Sequence, residues 1–248
     1  MELFENFTDP SGPLSLLTRS AHVLSGVTWI GLLYFFNLVQ VPAYAELSDG
    51  ARSEALRKLT FRALWWFRFA ALLTFLFGVM LVGIQGDGEN TDLYLSGVGG
   101  TAILTGMLFG TTMFLNVWGV IWRNQKIVIG NAETVASGGA ANPDAPAAAK
   151  KGARASRANT FMSITMLWFM VFAAHGAIWF DGVGGTALYW VFILIVLAFI
   201  EGSALGLIGG IDSAFNKLAF DKHKNTIIGG FLMLGIVWVV GWEILLKP

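Results

Sequence analysis

Six apolar stretches dominate this sequence, at about residues 16–44, 63–84, 93–122, 159–180, 187–211 and 227–246. Each is long enough to cross about 30 Å of hydrocarbon, which takes about 20 helical residues. In lipid every backbone N–H and C=O must find its partner within the protein, and open strand edges cannot, so these spans are helices. The expected fold is all-α, a polytopic membrane bundle of about six transmembrane helices forming a single domain over 1–248. The composition agrees: 55% of residues are hydrophobic and 13% charged, against about 25% charge in a soluble domain.

Charge sets the expected orientation. Arg52, Arg57, Lys58, Arg62 and Arg68 lie around the first connection. Arg123, Lys126, Lys150, Lys151, Arg154 and Arg157 lie around the third, and Lys217, Lys222 and Lys224 around the fifth. The opposite connections hold Asp87, Glu89, Asp92 and Asp181, with no Lys or Arg. Fourteen of the sixteen basic residues are therefore on one side. The positive-inside rule makes that side cytoplasmic and both termini external, as in a multi-pass protein of a bacterial inner membrane. The first thirteen residues carry Glu2, Glu5 and Asp9 and no basic residue, so no cleaved signal peptide is expected. A net charge of zero gives no reason to expect nucleic-acid binding.

Between the spans, 48–60 reads as a short amphipathic surface helix. The Ala-, Gly- and Pro-rich stretch 130–152 reads as a mobile cytoplasmic linker. Gly106 and Gly110, and likewise Gly202, Gly206 and Gly210, have the spacing that lets membrane helices approach closely; the alternative use is room for a flat cofactor. Trp122, Trp179 and Trp242 sit at span ends, as an interfacial aromatic belt requires.

Cysteine is absent, which excludes disulfides, thiolate metal sites, iron–sulfur clusters and covalently attached c-type haem within this sequence. Three histidines remain. His22 and His175 each fall roughly 8–9 Å inside the outer boundary at about 1.5 Å per helical residue. Two histidines at one depth on separate spans are what a bis-histidine haem b needs for its iron. Gly26 and Trp29 share the face of His22, and Arg19, one turn outward, is placed for a propionate. The alternative is that each histidine hydrogen-bonds a neighbouring helix. No third ligand for copper or another metal is evident, and His223 lies among charged loop residues.

Glu201 is the deepest carboxylate, expected near the middle of the fifth span. It is a candidate for proton handling or for an ion pair with Arg68. Asn37, Gln40 and Asn116 read as interhelical hydrogen-bonding groups, and Glu243 as a carboxylate snorkelling near a span end. No nucleotide-binding or hydrolase motif occurs.

Three segments carry a resemblance: His22–Gly31 (HVLSGVTWIG) with Tyr34 and Phe35, Asn116–Lys126 (NVWGVIWRNQK), and Ser156–Asn159 (SRAN) followed by Ser163 and His175. In this order they resemble the membrane domain of the membrane-bound, cytochrome c-linked urate oxidases. The resemblance implies an integral membrane oxidoreductase passing electrons from a small reductant towards cytochrome c. That family carries a c-type cytochrome domain after its membrane part; this sequence, without cysteine, would use a separate c-type cytochrome. Two other readings stay open. One is a haem-bearing or structural subunit of a larger energy-transducing membrane complex; the other is a transporter using Glu201 and Arg68, although no mid-span breaks are evident. A shorter likeness, a histidine and glycine before Trp-Ile-Gly, extends to membrane protoporphyrinogen oxidases and copper-resistance proteins.

Overall fold

The computed structural model describes residues 7–9, 12–86, 91–176 and 184–246. Glu2, Glu5, Asp87, Glu89, Trp179 and Asp181 lie outside the described residues. Among those described are six helices long and apolar enough to cross a membrane: α1 (Pro13–Glu46), α2 (Asp49–Gln85), α3 (Val98–Ala136), α4 (Ala145–His175), α5 (Ala187–Ala204) and α6 (His223–Leu245). Short helices Thr91–Ser96 and Ala214–Phe220 precede α3 and α6. Successive spans run antiparallel, so the connections around 47–48, 137–144 and 205–222 share one end of the bundle, called here the basic end.

Three helices, α2, α3 and α4, extend by ten residues or more beyond their apolar stretches at the basic end. The expected linker over 130–152 is instead mostly helix: α3 continues to Ala136 and α4 begins at Ala145. Alanine, the strongest helix former, fills 145–149 around Pro146, which suits a first turn. The break is confined to 137–144. There Gly138, at φ +84°, ends α3, with Gly139 N–H bonding Thr134 O at 2.9 Å and Gly138 N–H bonding Val135 O at 3.0 Å. Likewise the stretch 48–60 starts α2 rather than standing apart, capped by Ser48 Oγ accepting from Ala51 N–H.

α5 is shorter than expected, ending at Ala204 rather than near 211. Gly206, Gly209 and Gly210 all have positive φ, which a helix cannot carry. The repeated spacing from Gly202 to Gly210 is therefore a turn, whereas Gly106 and Gly110 do pack against Met170 and Met166 of α4.

α4 is the core of the bundle. Ala155, Ala158, Met162 and Phe169 are fully enclosed, with α1, α3, α5 and α6 around it. α6 approaches through Gly230, where a Cβ would stand 2.7 Å from both Phe161 O and Ile164 Cδ1. Thr105 and Tyr189 hydroxyls, 2.7 Å apart, join α3 to α5. Trp242, expected in the interfacial belt, is 4% exposed; it stacks on Trp238 at 5.5 Å and meets Phe172 edge-on at 5.0 Å. Outward, Leu16, Leu24, Phe231 and Leu232 are exposed, the lipid-facing surface of a membrane bundle.

Candidate functional site

Polar side chains inside a membrane bundle are costly without partners, so those present mark where helices are held. α1 and α4 meet through three such contacts. The hydroxyls of Tyr34 and Ser163 are 2.9 Å apart. Asn37 Nδ2 donates to Ser156 Oγ at 2.8 Å, and Asn37 Oδ1 accepts from Arg157 Nε at 3.0 Å. These contacts set the register of two antiparallel helices.

The histidines can be placed from that register. His22 lies twelve residues before Tyr34, and His175 twelve residues after Ser163, both through uninterrupted α-helix. Each is thus roughly 18 Å along its helix from the Tyr34–Ser163 contact, in the same direction. The two therefore lie at matching positions along antiparallel helices. No hydrogen bond joins them among the described residues; His22 is half-buried and His175 exposed at the end of α4.

His22 faces α2. Its Nδ1 lies 2.8 Å from the carbonyl oxygen of Thr74. A carbonyl only accepts, so Nδ1 carries a proton and, in the neutral ring, Nε2 keeps its lone pair. The ring reaches this carbonyl because residue 78 is glycine: a Cβ there would stand 3.0 Å from His22 Cε1 and 3.3 Å from Nδ1. Gly26 shares the face, and a Cβ on it would stand 3.7 Å from Thr74 Cγ2. Trp29, one turn further, is 2% exposed with no partner for its Nε1. Arg19 is exposed one turn outward.

The His22 ring has the chemistry to hold a haem iron, because ligating histidines usually donate their other ring N–H to a carbonyl or carboxylate. No group of three or more His, Cys, Asp or Glu suited to a metal ion forms among the described residues. Gly78→Ala should crowd the imidazole and weaken its bond to the Thr74 carbonyl, costing up to about 1 kcal/mol. Nitrogen NMR of the ring should report the Nδ1-protonated form in the wild type and a tautomer mixture in the variant; an unchanged spectrum would refute this geometry.

Glu201 differs from expectation in two ways. Because α5 ends at Ala204, it sits in the last turn rather than at mid-helix. No ion pair with Arg68 forms: Asn116 Nδ2 bonds Glu201 Oε2 at 2.8 Å and Asn159 Oδ1 at 2.9 Å, and Asn159 Nδ2 ends on Met113 O at 2.9 Å. Arg68 points elsewhere, over the ring of Trp122 at 3.8 Å and beside Trp118. The aromatic faces of α3 take the guanidinium before any carboxylate reaches it.

Compared with family models, curated proteins and solved structures, the chain finds no match. Function therefore rests on the site alone.

Thr74, Gly78, Arg154 and Arg157 were not singled out from the sequence as site residues. A backbone acceptor has no residue signature, and Gly78 looks like any membrane glycine. The two arginines did carry a signal, since each falls just before an apolar run and helix α4 continues unbroken through both.

Proposed function

We propose that this chain is a b-haem electron-transfer protein of the membrane, in which His22 and His175 would hold the haem iron. The observation that supports this most is their register: two histidines at matching positions along antiparallel helices locked together by the Tyr34–Ser163 contact. The second support is the His22 ring, whose Nδ1–H is committed to Thr74 O. That bond leaves Nε2 as the nitrogen able to ligate.

Haem bound between these helices would supply one-electron redox chemistry. The protein's own contribution is positional. The Thr74 carbonyl sets the tautomer of His22, Gly78 leaves room for the ring, and Arg19 offers a cation one turn nearer the surface. Glu201 clamps α5 to α3 and α4. Its hydrogen bonds run through two asparagine amides to a backbone carbonyl, which favours holding helices over relaying protons. By the positive-inside rule the basic end faces the cytoplasm, and the histidines lie near the outer face. A separate c-type cytochrome there would accept the electrons, and urate is the first reductant to try.

The test is a reduced-minus-oxidised visible spectrum of the detergent-purified protein beside His22→Ala and His175→Ala. A b-type α-band in the wild type, abolished or strongly shifted in each variant, is the expected result. A folded, colourless wild type would overturn the proposal.

A further inference from the structure

The basic end of the bundle encloses a cavity of about 310 Å³, at the small end of the range for ligand pockets. It is far from the histidines: Asn37, on its wall, is roughly 22 Å along α1 from His22. Three of the π-helical segments meet there. Phe35–Gln40 of α1 contributes Asn37 and Gln40, Leu56–Thr60 of α2 contributes Thr60, and Val117–Ile121 of α3 contributes Ile121. A π turn holds an extra residue, which redirects the side chains after it, and such turns recur at functional sites.

The wall opposite is α4, and it is cationic. Arg154 and Arg157 are 6% and 8% exposed and both line the cavity. Arg154 is matched by Asp221 at 2.5 Å. Lys150 is matched by Asp212 at 2.6 Å, whose carboxyl it holds below the usual carboxylate range. Arg157 has no carboxylate within ion-pair distance among the described residues. Its Nε bonds Asn37 Oδ1, and its Nη1 bonds the Phe220 and Asp221 carbonyl oxygens; Nη2 is engaged by none of these. Gln40, 8% exposed on the facing α1 wall, has no partner for its Oε1. Asp221, which also lines the cavity, is paired with Arg154 and serves Arg157 only at longer range, so the buried Arg157 is left partly uncompensated; its planar fork of N–H groups suits carboxylate or phosphate.

We propose that this cavity is an oxyanion site at which Arg157 receives a carboxylate or phosphate group entering from the basic side. The site stands apart from the haem reading, since none of its residues touches His22 or His175. The same chemistry has two sources, a small soluble anion or the phosphate of an anionic lipid headgroup.

Thermal unfolding of the purified full-length protein separates these sources. One arm adds sodium phosphate or succinate against chloride at equal ionic strength. The other exchanges phosphatidylcholine nanodiscs for ones containing phosphatidylglycerol. Saturation of the site should raise the midpoint by about 5 °C. A rise with the soluble anions identifies a metabolite-type ligand, and a rise with phosphatidylglycerol alone identifies a lipid. Arg157→Gln should lose the response. Gln40→Glu, which supplies a carboxylate to the cavity from within, should lose it too while keeping the fold. No shift in either arm, or an undiminished shift in Gln40→Glu, would overturn the proposal.

Discussion

Gly230→Ala lowers the unfolding midpoint of this protein by about 4–8 °C, because α4 and α6 have no room for one more carbon. The Cβ of an alanine would meet Phe161 O at 2.7 Å as well as Ile164 Cδ1 at 2.7 Å. Ile164 has a rotatable end, but the carbonyl belongs to the backbone of the central helix. Relief therefore requires α6 to move as a body. Overpacking of this kind costs roughly 1–3 kcal/mol, and the helix-forming advantage of alanine returns about 1 kcal/mol. The backbone contact puts the net loss near 2 kcal/mol. Gly235→Ala, one and a half turns along the same helix, meets nothing within 4 Å and should be neutral or slightly stabilising. Thermal unfolding of both variants in one detergent decides the matter; equal midpoints would mean that α6 does not pack through Gly230.

Asp221→Ala has the second large effect, through Arg154. The Arg154 side chain is 7% exposed and depends on Asp221 for its charge partner; its other bond is to Asn216 O at 3.1 Å. Removing one member of a buried pair costs about 3–5 kcal/mol. The Asp221 side chain is itself 48% exposed, so solvent screens part of the interaction and a loss of about 2 kcal/mol is expected. The double variant Arg154→Met/Asp221→Ala removes the stranded cation and should be more stable than Asp221→Ala alone. Chemical denaturation of the two single variants and the double closes the cycle. A double variant as unstable as the sum of its parts would show that the pair contributes nothing as a pair.

The six spans were readable because each needs only length and apolarity, which a local window of sequence contains. Where they end was harder to see. Residues 130–152 look like a linker by composition, yet the alanines at 145–149 that suggest flexibility are the strongest helix formers and α4 starts among them. The glycines at 206–210 look like helix-packing spacing, yet positive φ makes them a turn, and backbone sign is invisible in a residue pattern. Partner choice was least legible. Glu201 and Arg68 are natural partners by charge, but the fold gives Asn116 to one and Trp122 to the other. The matched positions of the two histidines along their helices could be read by counting. The carbonyl that holds His22 belongs to Thr74, 52 positions away, and no local signal points to it.

The contact of Arg68 with Trp122 also has an electrical side. Arg68 lies about five residues inside the apolar stretch of α2, so its charge sits roughly 8 Å into a hydrocarbon layer of about 30 Å. A full crossing is worth about 2.3 kcal/mol per charge at 100 mV, so Arg68 experiences about 0.6 kcal/mol. With the basic end cytoplasmic, as proposed above, an interior-negative potential would draw the guanidinium towards that end, where the indole of Trp122 stands at the close of the third apolar stretch. With the orientation proposed above, the aromatic clasp between α2 and α3 would therefore carry part of any membrane potential as a load on one side chain.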